Sequence, residues 1–348
     1  MTVTRFPLAL ALALALALVL LMSGMPSSSD AQPAADFYKN RQMRLIVGHA
    51  VGNDYDIGAR LLAKYLQKHI PGQPTIIVQN MTAAQSVVAA NYVYAQAPRD
   101  GSVIGTFSRN LPNQALMGQS NIEADLRRFN WLGATSLPGR VCAAWHTAPV
   151  KSVADLLKQE LIVGSSGAGT SNSILPTVAN HVLGTKFRII EGYRGSQDVI
   201  LAVERGEVQG VCATTGQFRG ADRLFKEGKL RLLFRSEEAP LPEFPDAPSI
   251  FEHVKSDDQR DFMRFVFASV EFGRPYVFPP DVPKDRVELM RRALAAAAQD
   301  PDLLAEAAKI RLDMSYRPPE RLERLLADLH ATPPGVIEAV KKLIPNLQ

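Results

Sequence analysis

The segment best suited to chemistry is a loop of glycine, serine and threonine at residues 164–171, with the sequence GSSGAGTS. It has the glycine spacing of a phosphate-binding loop, but Thr170 occupies the position of the lysine that holds the terminal phosphates. It also nearly matches the hydrolase elbow GxSxG around Ser166, but Ala168 replaces the final glycine. Neither motif is complete. We therefore predict a loop whose hydroxyls and backbone amides hold a carboxylate, with an ordinary tight turn as the alternative.

The remaining residue types exclude several classes of function. The six histidines show neither an HExxH motif nor a paired spacing, and the two cysteines lie too far apart for a CxxC or zinc motif. We therefore predict no cofactor and no metal. The 348 residues carry a net charge of +4 without a dense cluster of lysine and arginine, so nucleic acid is not an expected partner.

The N-terminal sequence is typical of an exported protein. A positive charge precedes an apolar run at residues 6–22, and small residues before Ala31 suit cleavage there. We therefore predict a signal peptide at residues 1–31, with an uncleaved membrane anchor as the alternative. In an oxidising compartment Cys142 and Cys212 could pair, although two buried free thiols are the simpler interpretation.

Short apolar runs alternate with helical patterns along the mature chain, which indicates an α/β fold. The predicted strands are residues 43–48, 75–78, 103–107, 161–163, 187–190, 208–212 and 230–234. The C-terminal part is predicted to be helical at residues 284–299, 301–310, 319–329 and 334–343, and to pack outside the first unit. Since the strands are apolar at consecutive positions, we expect two separate parallel sheets buried on both faces.

The predicted binding site lies where strands end and helices begin. In open α/β sheets, ligands bind beyond the carboxyl ends of the strands, where helix N-termini present free N–H groups. Four such connections, at residues 49–56, 80–85, 164–171 and 191–196, would converge on one cleft if the two sheets face each other. The predicted ligand-binding residues are Gly52, Asn53, Asp54, Thr82, Ala83, Ser108, Arg109, Ser165, Ser166, Thr170 and Ser196.

Several segments, taken in order along the chain, resemble one family of receptors. They are residues 47–60, 78–81, 98–101, 164–170, 192–196, 205–208, 241–248 and 279–283. Together they resemble the Bug-type solute receptors, the extracytoplasmic binding proteins of tripartite tricarboxylate transporters. The resemblance implies a type II periplasmic-binding-protein fold, in which two lobes are joined by a hinge of two crossing segments. It also implies binding of a small carboxylate through backbone amides and water, delivery to membrane permease subunits, and no catalysis.

The expected crossings divide the chain into two lobes. We expect the chain to leave the first lobe near residues 131–141 and to return near residues 262–270. Lobe 1 would then comprise residues 36–140 and 263–348, and lobe 2 residues 141–262. The receptor is expected to be a monomer that closes because the ligand bonds both lobes and so favours the closed state.

Two loops depart from the glycine-rich sequences that are usual in this family. Residues 51–54 read VGND and residues 82–85 read TAAQ, where glycines would let the backbone approach a ligand or adopt positive φ. Asp54 adds a negative charge near the expected anion. If Asp54 faces the pocket, an amide or an amino acid becomes an alternative to a plain organic acid.

Two other functions remain as alternatives at this point. The lost glycines favour a sensory or scaffold protein that keeps the receptor fold but has a degenerate pocket. The serine-rich loop favours a periplasmic hydrolase that would use Ser165 or Ser166, with His146 or His181 as the base.

Overall fold

The computed structural model describes residues 34–119, 121–136, 138–167, 169–218 and 220–344. The predicted signal peptide and its cleavage after Ala31 lie outside these residues. The described chain forms two five-stranded sheets with helices packed on their faces.

The first sheet is built from both ends of the described chain. Its strands are β1 (Gln42–Val47), β2 (Thr75–Asn80), β3 (Val103–Thr106), β4 (Asn130–Ala134) and β10 (Pro275–Phe278). Their order is β2–β1–β3–β10–β4. β1 is parallel to β2 and β3, whereas β10 is antiparallel to β3 and β4.

The second sheet is built from the middle of the chain. Its strands are β5 (Arg140–Trp145), β6 (Leu161–Ser165), β7 (Phe187–Glu191), β8 (Gly210–Thr214) and β9 (Leu230–Arg235). Their order is β7–β6–β8–β5–β9. β6 is parallel to β7 and β8, whereas β5 is antiparallel to β8 and β9.

Both sheets are therefore mixed, and the prediction of purely parallel sheets is wrong for β5 and β10. The physical reason is the route of the chain. β4 ends at Ala134, at the carboxyl edge of the first sheet, and β5 begins at Arg140 opposite Thr214, at the carboxyl edge of the second. β10 likewise begins at Pro275 opposite Ala134, so each strand that follows a crossing must run against its neighbours.

Helices cover the faces of both sheets. The α-helices are α1 (Ala34–Phe37), α2 (Asp54–His69), α3 (Val87–Ala95), α4 (Leu111–Leu116), α5 (Val153–Leu156), α6 (Ser171–Leu183), α7 (Ser196–Glu204), α8 (Asp222–Lys226), α9 (Asp257–Glu271), α10 (Lys284–Ala298), α11 (Pro301–Lys309), α12 (Pro319–His330) and α13 (Pro334–Leu343). Short 3₁₀ turns occur at Ala84–Ser86, Leu126–Arg128, Thr215–Phe218 and Ile250–His253.

The C-terminal helices pack largely as predicted. α10 and α11 pack on α2, and α10 and α12 pack on β4, so all three cover the first sheet. α13 instead packs on α9, a helix that also contacts α4 of the first unit and α6 of the second. The expected return segment at residues 262–270 thus lies inside α9, whose aromatic side chains join the main hydrophobic core.

The two cysteines form a disulfide, which corrects the interpretation as free thiols. Cys142 in β5 lies directly opposite Cys212 in β8, with the two Cα atoms 4.0 Å apart. Both residues are buried in the second sheet. The bond therefore links two strands that are already paired, two positions from the edge pair Arg140 and Thr214.

Candidate functional site

The carboxyl edges of the two sheets are connected by a short segment after β4 and by a longer segment that runs from β9 through α9 to β10. Two of the crossings touch directly. Gly273, just before β10, has φ +56°, and a Cβ placed there would collide with the carbonyl oxygen of Ser136, just after β4. Only glycine fits this close approach, because its φ is left-handed and the space for a side chain is filled.

The loop after β1 is organised by Asp56, a buried carboxylate near the start of α2. Its oxygens accept hydrogen bonds from the Gly52 N–H at 2.9 Å, from Arg60 Nε at 3.0 Å and from Asn80 Nδ2 at 2.8 Å. Burial alone would raise the pKa of Asp56, but these hydrogen bonds outweigh it and hold the pKa below its usual value. The Gly52 amide, predicted as a ligand donor, is thus engaged within the loop.

The next predicted residues form the start of α2. Asn53 is the N-cap: its Oδ1 accepts the N–H of Tyr55 at 2.9 Å, and its own N–H donates to Ala50. Asp54 Oδ2 lies 3.8 Å from Nη1 of Arg274, a buried residue that comes just before β10, while 63% of the Asp54 side chain is exposed. The negative charge of Asp54 is therefore compensated from the crossing segment.

A group of side chains that sequence reasoning did not select joins this loop to β3. The ring of His49 stacks on Tyr55 with the centroids 4.0 Å apart, and His49 Nε2 is buried without a partner among the described residues. The Tyr55 hydroxyl accepts the N–H of Arg109 at 3.1 Å and donates to the carbonyl of Gly273 at 3.2 Å. Burial lowers the pKa of His49, with Asp54 opposing and Arg109 acting in the same direction, and so favours the neutral ring.

The loop after β2 has an unusual backbone. Ala84, Gln85 and Ser86 have φ values of +44°, +54° and +79°, although none of them is glycine. The side chains of Gln85 and Ser86 stabilise the turn: Gln85 Oε1 accepts from Gln114, and the Ser86 hydroxyl donates to Gly48. Non-glycine residues in this conformation cost on the order of 1 kcal/mol each, and such strain persists only where neighbours hold it in place. Thr82 and Ala83 precede the turn and are exposed.

In the second unit, two of the predicted residues, Ser166 and Ser196, hydrogen-bond a buried asparagine. Asn172 Nδ2 donates to Ser196 Oγ at 3.2 Å and to the carbonyl of Cys212 at 2.7 Å, and its Oδ1 accepts from the Ser166 hydroxyl at 3.1 Å. Thr170 is the N-cap position of α6, and its hydroxyl donates to the Gly167 carbonyl at 2.7 Å. Sequence reasoning did not select Asn172, because a polar residue in the first turn of a helix that holds several polar residues gives no local sign of its partners.

The remaining two predicted serines are fixed within their own loops. Ser165 is fully buried, and its hydroxyl accepts the N–H of Gly167 at 3.1 Å. Ser108 is also buried, and its hydroxyl accepts the N–H of Asn110 at 3.3 Å.

Two arginines approach each other from opposite sheets. Arg140, the first residue of β5, is only 3% exposed, and its Nε and Nη1 have no partner among the described residues. Burial and repulsion from Arg109 lower the pKa of Arg140 to about 9, and attraction to Glu237 opposes this. The strand-end loops therefore border a region of positive charge that suits an anion. Sequence reasoning selected Arg109 but not Arg140.

The hydrogen bonds do not support a serine nucleophile. His146 is next to Trp145, and His181 packs on Phe262, each through ring contacts about 5 Å between centroids. In the described part of the chain, neither imidazole hydrogen-bonds a hydroxyl of the serine-rich loop.

The described residues also hold no group of three potential metal ligands. None of their helices is both long and apolar enough to span a bilayer.

Two sheets joined by crossing segments, with anion-suited loops at their facing edges, define the two-lobed class of periplasmic binding proteins. The chain matches a family model described as the Tripartite tricarboxylate transporter family receptor over residues 58–341, and it therefore belongs to this receptor family. The resemblance, the two-lobed fold and the class of solute receptor predicted from the sequence are confirmed.

Individual relatives agree with the family assignment. The UPF0065 protein in gbd 5'region of Cupriavidus necator is 29% identical over 231 residues, which cover 64% of this chain and 67% of that protein. A TctC solute binding protein from Polaromonas has a similar structure, with a TM-score of 0.69 and 18% identity over 87% of this chain and 99% of the other. R. palustris Rpa4515 with adipate gives a TM-score of 0.54 and 19% identity over 88% and 97%.

Proposed function

We propose that the protein is a periplasmic receptor that closes over a small carboxylate and delivers it to a membrane transporter of the tripartite type. The observation that carries the proposal is the mutual repulsion of Arg109 and Arg140, which lie at the edges of different sheets, together with the influence of Arg109 on His49 in the first loop. Two buried or half-buried cations repel each other. An anion that lies between them attracts both and so offsets this repulsion. The adipate carried by the similar R. palustris protein supports the same ligand class.

The ion pair between Asp54 and Arg274 favours an acid over an amide or amino acid. An unpaired Asp54 that faced the ligand would disfavour a plain dicarboxylate, because like charges close together repel. With a buried guanidinium 3.8 Å away, that negative charge is compensated within the protein. A second carboxylate of the ligand can then approach the first loop without repulsion from an unpaired negative charge.

The bonding of the serines supports a receptor without catalysis. A nucleophilic serine needs a base within hydrogen-bond distance, and the Ser166 hydroxyl instead donates to Asn172. A fluorophosphonate probe is expected to leave the protein unlabelled. Labelling at Ser165 or Ser166 would revive the hydrolase alternative.

A thermal-shift screen tests the ligand class. We would measure the melting temperature of the mature protein with millimolar malate, succinate, adipate, adipamide and glutamate. A ligand that binds only the folded state at 100 times its dissociation constant stabilises it by about 2.7 kcal/mol. We expect shifts with the diacids and none with adipamide. No shift with any diacid would favour the sensory or scaffold alternative with a degenerate pocket.

The proposed location has a separate test. Expression of the full chain in a Gram-negative host, followed by periplasmic extraction and N-terminal sequencing, should give a protein that begins at Gln32. A cytoplasmic product with an intact N-terminus would contradict both the signal peptide and the periplasmic location, whereas a membrane-attached one would contradict only the cleavage.

A further inference from the structure

Tyr55, the second residue of α2, is buried and contacts two distant parts of the chain through its hydroxyl. The oxygen accepts the backbone N–H of Arg109, after β3, at 3.1 Å and donates to the backbone carbonyl of Gly273, before β10, at 3.2 Å. The two directions are fixed, because an amide N–H only donates and a carbonyl only accepts. The Tyr55 side chain therefore links the loop that carries Arg109 to the longer crossing segment.

This link lies where the two crossing segments touch. A Cβ placed on Gly273 would collide with the carbonyl oxygen of Ser136 in the short crossing segment. The next residue, Arg274, donates through Nη2 to the carbonyl of Thr135 at 3.0 Å, and its Nη1 lies 3.8 Å from Asp54 Oδ2. Two neighbouring residues at the start of α2 thus contact two neighbouring residues of the longer crossing segment.

The ring and the hydroxyl of Tyr55 have separate roles. The ring stacks on His49 and belongs to a hydrophobic core of the first unit. The hydroxyl makes the two hydrogen bonds, and burial raises its pKa, so it stays protonated and can donate at neutral pH. A phenylalanine at this position would therefore keep the packing and remove both hydrogen bonds.

We propose that Tyr55 is a positioning residue for Arg109, an inference that rests on the carboxylate-binding function proposed above. The Tyr55 hydroxyl holds the backbone of Arg109 against the crossing segments, so that the guanidinium meets the ligand from a fixed position. Without this hydrogen bond the Arg109 loop has more conformations in the free protein. Affinity then falls in proportion to the fraction of molecules that hold the binding-competent conformation.

Tyr38→Phe is the matched control for Tyr55→Phe. Tyr38 is also buried in the same core, and its hydroxyl donates to the carbonyl of Gly101 at 3.2 Å. Gly101 precedes β3 and Arg109 follows it, so the two tyrosines contact opposite ends of one strand. Both variants lose a buried hydroxyl, but only Tyr55→Phe releases the Arg109 loop.

Calorimetric titration of the mature protein with adipate and succinate tests the proposal. We expect Tyr55→Phe to bind the tighter acid about tenfold more weakly, as when about one-tenth of the molecules hold Arg109 in the competent position. Tyr38→Phe should bind like the unmodified protein, and circular dichroism checks that both variants are folded. Unchanged affinity in Tyr55→Phe, or an equal loss in Tyr38→Phe, would overturn the proposal.

A double-mutant cycle separates positioning from a general loss of structure. In an Arg109→Gln background, Tyr55→Phe should cause little further loss of affinity, because the guanidinium that it positions is absent. A further loss as large as the one in the unmodified background would show that the hydroxyl does not act through Arg109. That result would overturn the proposal.

Hydrogen exchange in the ligand-free protein, followed by NMR, tests the same hydrogen bond without a ligand. The Arg109 amide should exchange faster in Tyr55→Phe and at an unchanged rate in Tyr38→Phe. Equal exchange in Tyr55→Phe and the unmodified protein would contradict the positioning role.

The titrations also distinguish failure of this inference from failure of the proposed function. If Arg109→Gln weakens binding and Tyr55→Phe does not, the carboxylate site stands and the positioning role is wrong. If neither acid binds the unmodified protein, both are wrong.

Discussion

At the scale of single residues, the site is held by groups whose partners are distant in sequence. Tyr55 connects Arg109 to Gly273, and Asn172 connects Ser166 to Cys212. The loop sequences led to a set of predicted ligand-binding residues, because glycine, serine and threonine after a strand have a local signature, and that set stays a prediction. The loop sequences did not indicate a role for His49, Arg140 or Asn172, because the role of each depends on contacts with residues distant in the sequence.

Gly273 gives the first prediction at this scale. In Gly273→Ala the new Cβ would meet the Ser136 carbonyl at a positive φ, so one of the two crossing segments must move. We expect a loss of about 3 kcal/mol or more in the free energy of unfolding, measured by urea denaturation. The control is Gly335→Ala in α13, where no atom lies within 4 Å of the new Cβ. A change in the first variant no larger than in the control would show that the contact tolerates a side chain.

Asp56 gives a prediction about pH. Its pKa is lowered in the folded protein, so its ionised form stabilises the fold above the unfolded pKa, and this contribution disappears as the pH falls through the folded value. The unmodified protein should therefore lose stability below about pH 4, close to the usual pKa of Asp. Asp56→Asn should be less stable at pH 7, with a smaller further loss in acid. Parallel stability–pH curves for the two proteins would contradict this role.

At the scale of secondary structure, the parallel strands could be predicted and the antiparallel ones could not. β1, β2 and β3 each precede a helix, and that alternation is visible in the sequence. β4 and β10 pair with each other across more than a hundred residues, so neither carries a local sign of its partner. The expected return segment at residues 262–270 lies inside α9, because its apolar run suits a buried helix and a crossing segment equally well.

The disulfide gives a prediction at this scale. Cys142 and Cys212 close a loop of 70 residues in the second sheet. In the chain-entropy model, opening a loop of that size costs about 4 kcal/mol of stability. The double variant Cys142→Ala/Cys212→Ala should lose a few kcal/mol in urea denaturation, and dithiothreitol should lower the stability of the unmodified protein only. Equal stability of the oxidised protein and the double variant would contradict a stabilising disulfide.

At the scale of the whole molecule, the two sheets are joined at their carboxyl edges and are bridged by α9. The crossing regions, α9 and α12 line a largely apolar cavity. A receptor needs two lobes whose loops can approach a ligand while the segments that connect the lobes stay continuous. The family assignment and the charge at the loops agree with a receptor that traps an anion.

The central claim is that a carboxylate binds beside Arg109, between the two sheets, and calorimetric titration with adipate and succinate tests it most directly. Hydrogen bonds to a charged group contribute roughly 1.5–3 kcal/mol, so Arg109→Gln should weaken the tighter acid by at least tenfold. Arg127→Gln, an exposed arginine paired with Asp125 in the same unit, should bind like the unmodified protein. Unchanged affinity in Arg109→Gln, or no binding of either acid to the unmodified protein, would contradict the account.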